Sequence, residues 1–189
     1  MDLTQLWVFG YGSLMWNPGF AHAERQVAEL PGFRRSFCMR SVEHRGTPEA
    51  PGLVLALEEH AGTSCRGVAF RPEASAAEQT LAYLRERELV TSAYLETAQE
   101  VHLDDGRRVT ALTYVMDPHH VQYAGGLPLA EQAEIIARST GGRGPNADYL
   151  FATVDALKEL DIADVELEEL GRRVAAHPKI NGRRAAATR

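Results

Sequence analysis

A chain of 189 residues with 44% hydrophobic and 24% charged residues can bury a core of its own, which excludes wholesale disorder and any need for disulfide or metal staples. Its 20 basic and 26 acidic residues leave a formal charge of -6, a balance that argues against a nucleic-acid partner and leaves room only for a local basic pocket. Two full domains would be cramped at this length, so the expectation is one domain over residues 1–176 and a polar, flexible tail over 177–189.

The opening MDLTQLWVFGYGSL lacks a cationic start and is interrupted by two glycines, so no secretory signal is expected. No apolar run approaches the roughly 18 residues that a membrane span needs. Cys38 and Cys65 read as reduced core thiols. Together these features predict a cytoplasmic protein with no membrane partner.

In chain order, Leu6 to Tyr11 reads as a short buried strand, followed by apolar or alternating runs at Gln26 to Leu30, Gly32 to Met39, Gly52 to Leu57 and Cys65 to Phe70. Ser75-Ala76-Ala77-Glu78 has the spacing of a capping box and opens a helix predicted to reach Leu89. Glu96 to Leu103 and Arg108 to Met116 flank Asp104-Asp105-Gly106-Arg107, a hairpin signal. Helices are then predicted over Leu129 to Ser139, Asn146 to Leu160 and Val165 to Ala176. Strands followed by helices give an α+β class.

The first helix places chemistry by its period. Ala77, Leu81 and Leu84 mark the buried stripe, and the next position on it is Glu88. An inward carboxyl meets low dielectric, which favours its protonated form and suits it to exchange protons. The alternative is a Glu88 paired with an arginine at the edge of the core. Phe9-Gly10-Tyr11-Gly12-Ser13-Leu14 reads as a strand entering a glycine turn, where backbone amides can approach an anion closely; a plain tight turn reads equally well. Met15 stands where a dinucleotide fingerprint needs a third glycine. Seven scattered His without a ligand spacing predict no metal, and no Ser or Cys sits in a nucleophile motif. Ser41 to Gly52, with Arg45 inside it, is either a solvated loop or a cover over substrate.

Taken together, Val8-Phe9-Gly10-Tyr11-Gly12-Ser13-Leu14-Met15-Trp16, His44-Arg45-Gly46-Thr47-Pro48-Glu49, Arg87-Glu88 with Tyr94, and Leu127-Pro128-Leu129 through Gly144-Pro145-Asn146 to Tyr149-Leu150 resemble the ChaC family of glutathione-specific γ-glutamylcyclotransferases. The resemblance runs from about Leu6 to Ala175. It implies a small mixed β-barrel with surrounding helices and a helical C-terminal third. It also implies Glu88 as the catalytic acid/base and a pocket lined by Gly10, Tyr11, Gly12, Ser13 and Leu14, to which Arg45 and Tyr149 are expected to contribute. Two positions depart from the pattern: Arg40 stands where an aromatic is common, and Ser92 where a glycine is.

The activity so implied is cleavage of glutathione by cyclisation of its γ-glutamyl arm, giving 5-oxoproline and Cys-Gly in a monomer without metal or cofactor. Two alternatives stay open: a cyclotransferase for other γ-glutamyl amines or dipeptides, and a non-catalytic regulator of the same fold, such as one of cation transport.

Overall fold

The computed structural model describes residues 3–181. Two compact units divide the chain, Met1–Ser36 with Ala56–Val121 and Phe37–Leu55 with Gln122–Arg189. The class is α+β.

The first unit is built on a closed barrel with strand order β1-β3-β2-β4-β5. β1 (Trp7–Gly10) is buried along its whole length, as a continuous apolar run dictates. It lies antiparallel to β3, Val8 opposite Phe70, and parallel to β5, Trp7 opposite Ala111, so the barrel is mixed. β2 (His22–Ser41) and β3 (Gly52–Pro72) are single long strands where the sequence predicts four short ones, and both run on into the second unit. Gly32 and Gly62, each at φ 80°, absorb the bends that sequence reading takes for breaks.

β4 (Tyr94–Leu103) and β5 (Arg108–Met116) form the predicted hairpin, paired from Tyr94 opposite Met116 to His102 opposite Arg108. Its turn closes with Gly106 N–H donating to the Leu103 carbonyl, and Gly106 takes φ 91°. The helix α1 (Ala77–Glu88) forms as expected, but the capping box does not. A 3-10 turn over Ala74–Ala76 precedes α1, so Ala76 becomes the cap and has no side chain able to accept a bond.

The second unit holds α2 (Leu129–Arg138), α3 (Asn146–Glu159) and α4 (Val165–Ala176), within a residue of their predicted bounds. Two-residue strands β6 (Thr140–Gly141) and β7 (Gly144–Pro145) pair between α2 and α3. The described residues of the predicted tail, 177–181, make contacts with α2. His177 Nε2 lies 2.9 Å from Glu134 Oε2, Lys179 Nζ donates to the Arg138 carbonyl, and Ile180 is buried. An apolar side chain with a place to pack outweighs the polar character of its neighbours. The rest of the predicted tail, 182–189, lies outside the described residues.

Candidate active site

In the first unit a shared core aligns two short pieces of chain. Leu14 is buried among Leu6, Val8, Ala77, Leu84, Leu112 and Tyr114, so the turn after β1 and one face of α1 press on the same apolar cluster. Gly10 permits this, because a Cβ there would stand 2.8 Å from Leu14 Cβ. The chain then makes a 3-10 turn over Ser13–Met15, with Met15 N–H donating to the Gly12 carbonyl at 2.9 Å. The amides of Gly12, Ser13 and Leu14 precede that bond and have no partner within the turn itself.

Glu88 ends α1, and its side chain is 18% exposed. Its Oε1 lies 3.0 Å from Arg87 Nε. The two sequence alternatives for this carboxyl are therefore compatible, since it is turned largely inward and also paired with an arginine. Arg87 reaches the turn as well: its Nη2 donates to Ser13 Oγ at 2.9 Å. Sequence reasoning names Arg87 only as part of a motif and assigns it no role.

Tyr114 of β5 is 1% exposed and belongs to the same apolar cluster as Leu14 and Leu84. Burial pushes its phenol pKa well up, and the negative charges of Glu96 and Glu88 add to the effect. Its hydroxyl bonds Glu96 Oε2 at 3.3 Å, while Arg85 grips Glu96 from the other side with Nε and Nη2, the latter at 2.7 Å. Arg85 holds the Glu96 carboxyl below its ordinary range, mainly through those hydrogen bonds. The unbroken buried run of β5 from Ala111 to Met116 makes Tyr114 core, and nothing local in the sequence marks it as sensing the Glu88 charge.

Of the pocket residues expected from sequence, Gly10, Tyr11, Gly12, Ser13 and Leu14 lie in the unit that carries Glu88. The Tyr11 side chain is buried, its hydroxyl donating to the Tyr114 carbonyl at 2.9 Å, and Leu14 is core; Ser13 is half-exposed. Arg45 and Tyr149 belong to the second unit. There Arg45 Nη1 donates to the carbonyls of Arg143 (2.7 Å) and Pro145 (3.1 Å), and the guanidinium stands 5.5 Å from the Tyr149 ring centre. Burial lowers the pKa of Arg45 and likewise that of His44 beside it, with the Arg143 charge adding to the effect on His44.

The loop carrying Arg45 is fastened along its length. Arg45 N–H donates to Ser41 Oγ, Gly142 N–H to the Glu43 carbonyl and Arg143 N–H to the His44 carbonyl. Gly46 and Gly141 approach so closely that a Cβ on Gly141 would stand 2.5 Å from Gly46 N. Asn146, wholly buried, accepts from Leu53 N–H and donates to its carbonyl, both at 2.7 Å. Asn146 has no role in the sequence reading, although a polar residue sharing a helix face with Leu150, Thr153 and Leu157 was the available signal. Among the described residues no group of three or more His, Cys, Asp or Glu could hold a metal ion, and no helix is long and apolar enough to cross a membrane.

Known proteins share this architecture. The family model for ChaC-like proteins matches residues 6–177. A glutathione-specific γ-glutamylcyclotransferase of Escherichia coli is 42% identical, over 89% of this chain and 72% of that protein. One of Schizosaccharomyces pombe is 35% identical, over 87% and 90%. A crystal structure of the yeast γ-glutamylcyclotransferase specific to glutathione superposes with a TM-score of 0.81 at 26% identity, covering 89% of this chain and 95% of that one. By the extent of the match, from the first strand through the last helix, the chain belongs to the ChaC-like family.

Proposed function

We propose that this protein cleaves glutathione by intramolecular cyclisation, releasing 5-oxoproline and Cys-Gly. The observation that supports the reading best is that one guanidinium, Arg87, is ion-paired with the Glu88 carboxylate and donates a hydrogen bond to the Ser13 hydroxyl of the glycine turn. A proton-exchanging group and a bed of backbone amides then serve one small volume. The match to the family model, residues 6–177, runs through both elements.

In the proposed reaction the γ-glutamyl arm folds back so that its α-nitrogen meets its own γ-carbonyl carbon. Glu88 takes a proton from the α-ammonium, and the freed amine attacks to form the bond that closes the five-membered ring. The Glu88 carboxyl returns a proton to the cysteinyl nitrogen as its bond to the γ-carbon breaks; the second proton on the ring nitrogen follows the same route. No water is consumed. The reaction is intramolecular with or without the protein, so what the pocket adds is to hold the arm in the near-attack geometry, and positioning is a main source of the rate. Charge on the tetrahedral oxygen falls to the amides of Gly12 to Leu14, each well-placed donor contributing about 3 to 4 kcal/mol. The reading takes the protein to act alone, as a cytoplasmic monomer without cofactor.

The test is to incubate purified protein with reduced glutathione and follow 5-oxoproline. Stoichiometric 5-oxoproline and Cys-Gly are expected. Turnover of γ-glutamyl-alanine in preference to glutathione would transfer the chemistry to another substrate, and glutathione left intact would leave a binding protein of the same fold.

A further inference from the structure

Arg87 is 13% exposed, so its guanidinium is held inside the fold and is no surface cation. Its Nη1 donates to the carbonyls of Asn17 (2.7 Å) and Pro18 (3.3 Å) and to the Tyr83 hydroxyl (2.9 Å). Tyr83 also sets its ring 6.0 Å from the guanidinium carbon. One end of the planar group is thereby fastened to the chain leaving the glycine turn and to the preceding turn of α1. The other edge, Nε and Nη2, faces Glu88 Oε1 and Ser13 Oγ.

We infer, resting on the reaction proposed above, that Arg87 is a positioning residue which holds the Glu88 carboxylate, ion-paired at Nε, and the Ser13 hydroxyl, hydrogen-bonded at Nη2, against one edge of its guanidinium. Nε and Nη2 lie on one rigid edge of the planar guanidinium, so a carboxylate paired at the first and a hydroxyl bonded at the second are tied to the same body. A lysine would supply the charge but only a single point of attachment. Ser13 Oγ is the acceptor in this contact, so its own hydrogen must leave in another direction and the hydroxyl becomes an oriented donor. Glu88 keeps a cation on its own helix. From α1 its charge acts on Tyr114 of β5, whose hydroxyl bonds Glu96 of β4, itself held by Arg85 of α1. A staple that merely joined helix to turn would need only the Nη1 contacts; the second edge is what couples the acid/base to the turn.

The experiment uses the full chain, with Glu δ-carbons labelled and the Glu88 carboxyl resonance identified by its disappearance in Glu88→Gln. In Arg87→Gln the resonance should titrate at higher pH than in wild type, because removing a cation beside a carboxylate makes it easier to protonate. Glutathione kcat should fall on the order of 10²-fold, as slight misplacement of a reacting group does, with KM within about threefold. Adding Ser13→Ala to Arg87→Gln should cost far less than the two changes made separately. Arg87→Lys, closer in shape and charge, provides a second folded variant in which kcat should fall while KM holds. An unshifted Glu88 titration in folded Arg87→Gln, or normal kcat in either variant, overturns the inference. If wild type forms no 5-oxoproline, the proposed reaction falls, while the Glu88 titration still decides what Arg87 does.

Discussion

Arg45 and Arg87 are both drawn into the fold, both lie beside a tyrosine ring, and both sit in motifs that the sequence flags. Their acceptors separate them. Arg45 Nη1 bonds two peptide carbonyls of the connection between α2 and α3, which makes it a buckle for its own loop. Arg87 is ion-paired with a carboxylate and bonds a hydroxyl as well as carbonyls, so its geometry reaches groups able to take part in a reaction. An arginine in a family motif therefore says little until its acceptors are known.

The largest effect that would break this contrast is at the carboxylate. Glu88→Gln is nearly isosteric and should lower kcat by about 10² to 10⁴-fold, the usual reach of general acid–base catalysis, with the thermal midpoint unchanged. Near-normal turnover would move the base elsewhere. In the second unit the effects should appear in stability. Asn146→Ala strands the Leu53 N–H and C=O in the interior and should cost about 3 kcal/mol in urea unfolding; a loss under about 1 kcal/mol would mean that water satisfies them. Arg45→Ala should cost about 1 kcal/mol and leave glutathione KM within about threefold. A large rise in KM would return Arg45 to the substrate, where the sequence expects it.

Smaller effects test the backbone and the loop. Ser92 holds φ 55°, in the left-handed region, at a position where the family resemblance expects glycine. Ser92→Gly relieves a strain of about 1 to 2 kcal/mol and costs some chain entropy, for a net gain of roughly 0.5 to 1 kcal/mol, readable as a higher unfolding midpoint. For His44 the folded chain disfavours the proton, so the unfolded chain binds more of it and stability must fall as pH drops below the ordinary 6.5. His44→Gln should flatten the step in thermal midpoint between pH 7.5 and 5.5; an unchanged step would assign it to another group.

How much of this was legible depended on the distance over which each choice was made. The β4–β5 hairpin and the three C-terminal helices rest on turn residues and periods within a short window, and the sequence carries them. The inward aspect of Glu88 came from the same kind of local periodicity. The continuity of β2 and β3 did not, because a glycine that bends a strand is written like one that ends it. The capping box failed because a competing 3-10 turn took the residues before α1. Asn146 with Leu53, Tyr114 with Glu96 and Arg87 with Ser13 are choices between distant segments, and no local pattern encodes a partner's identity.

The way the barrel shuts carries a kinetic consequence. The β4–β5 ladder grows outward from its own turn, so each new pair closes a short loop, whereas β1 against β5 must bring Trp7 to Ala111 from opposite ends of the first unit. Chain-closure entropy makes the former an early event and the latter a late one. On the reverse journey the parallel contact should part first. Amide deuterium uptake in native buffer would then reach the β1–β5 contact before the middle of the hairpin, although β1 itself is buried along its whole length.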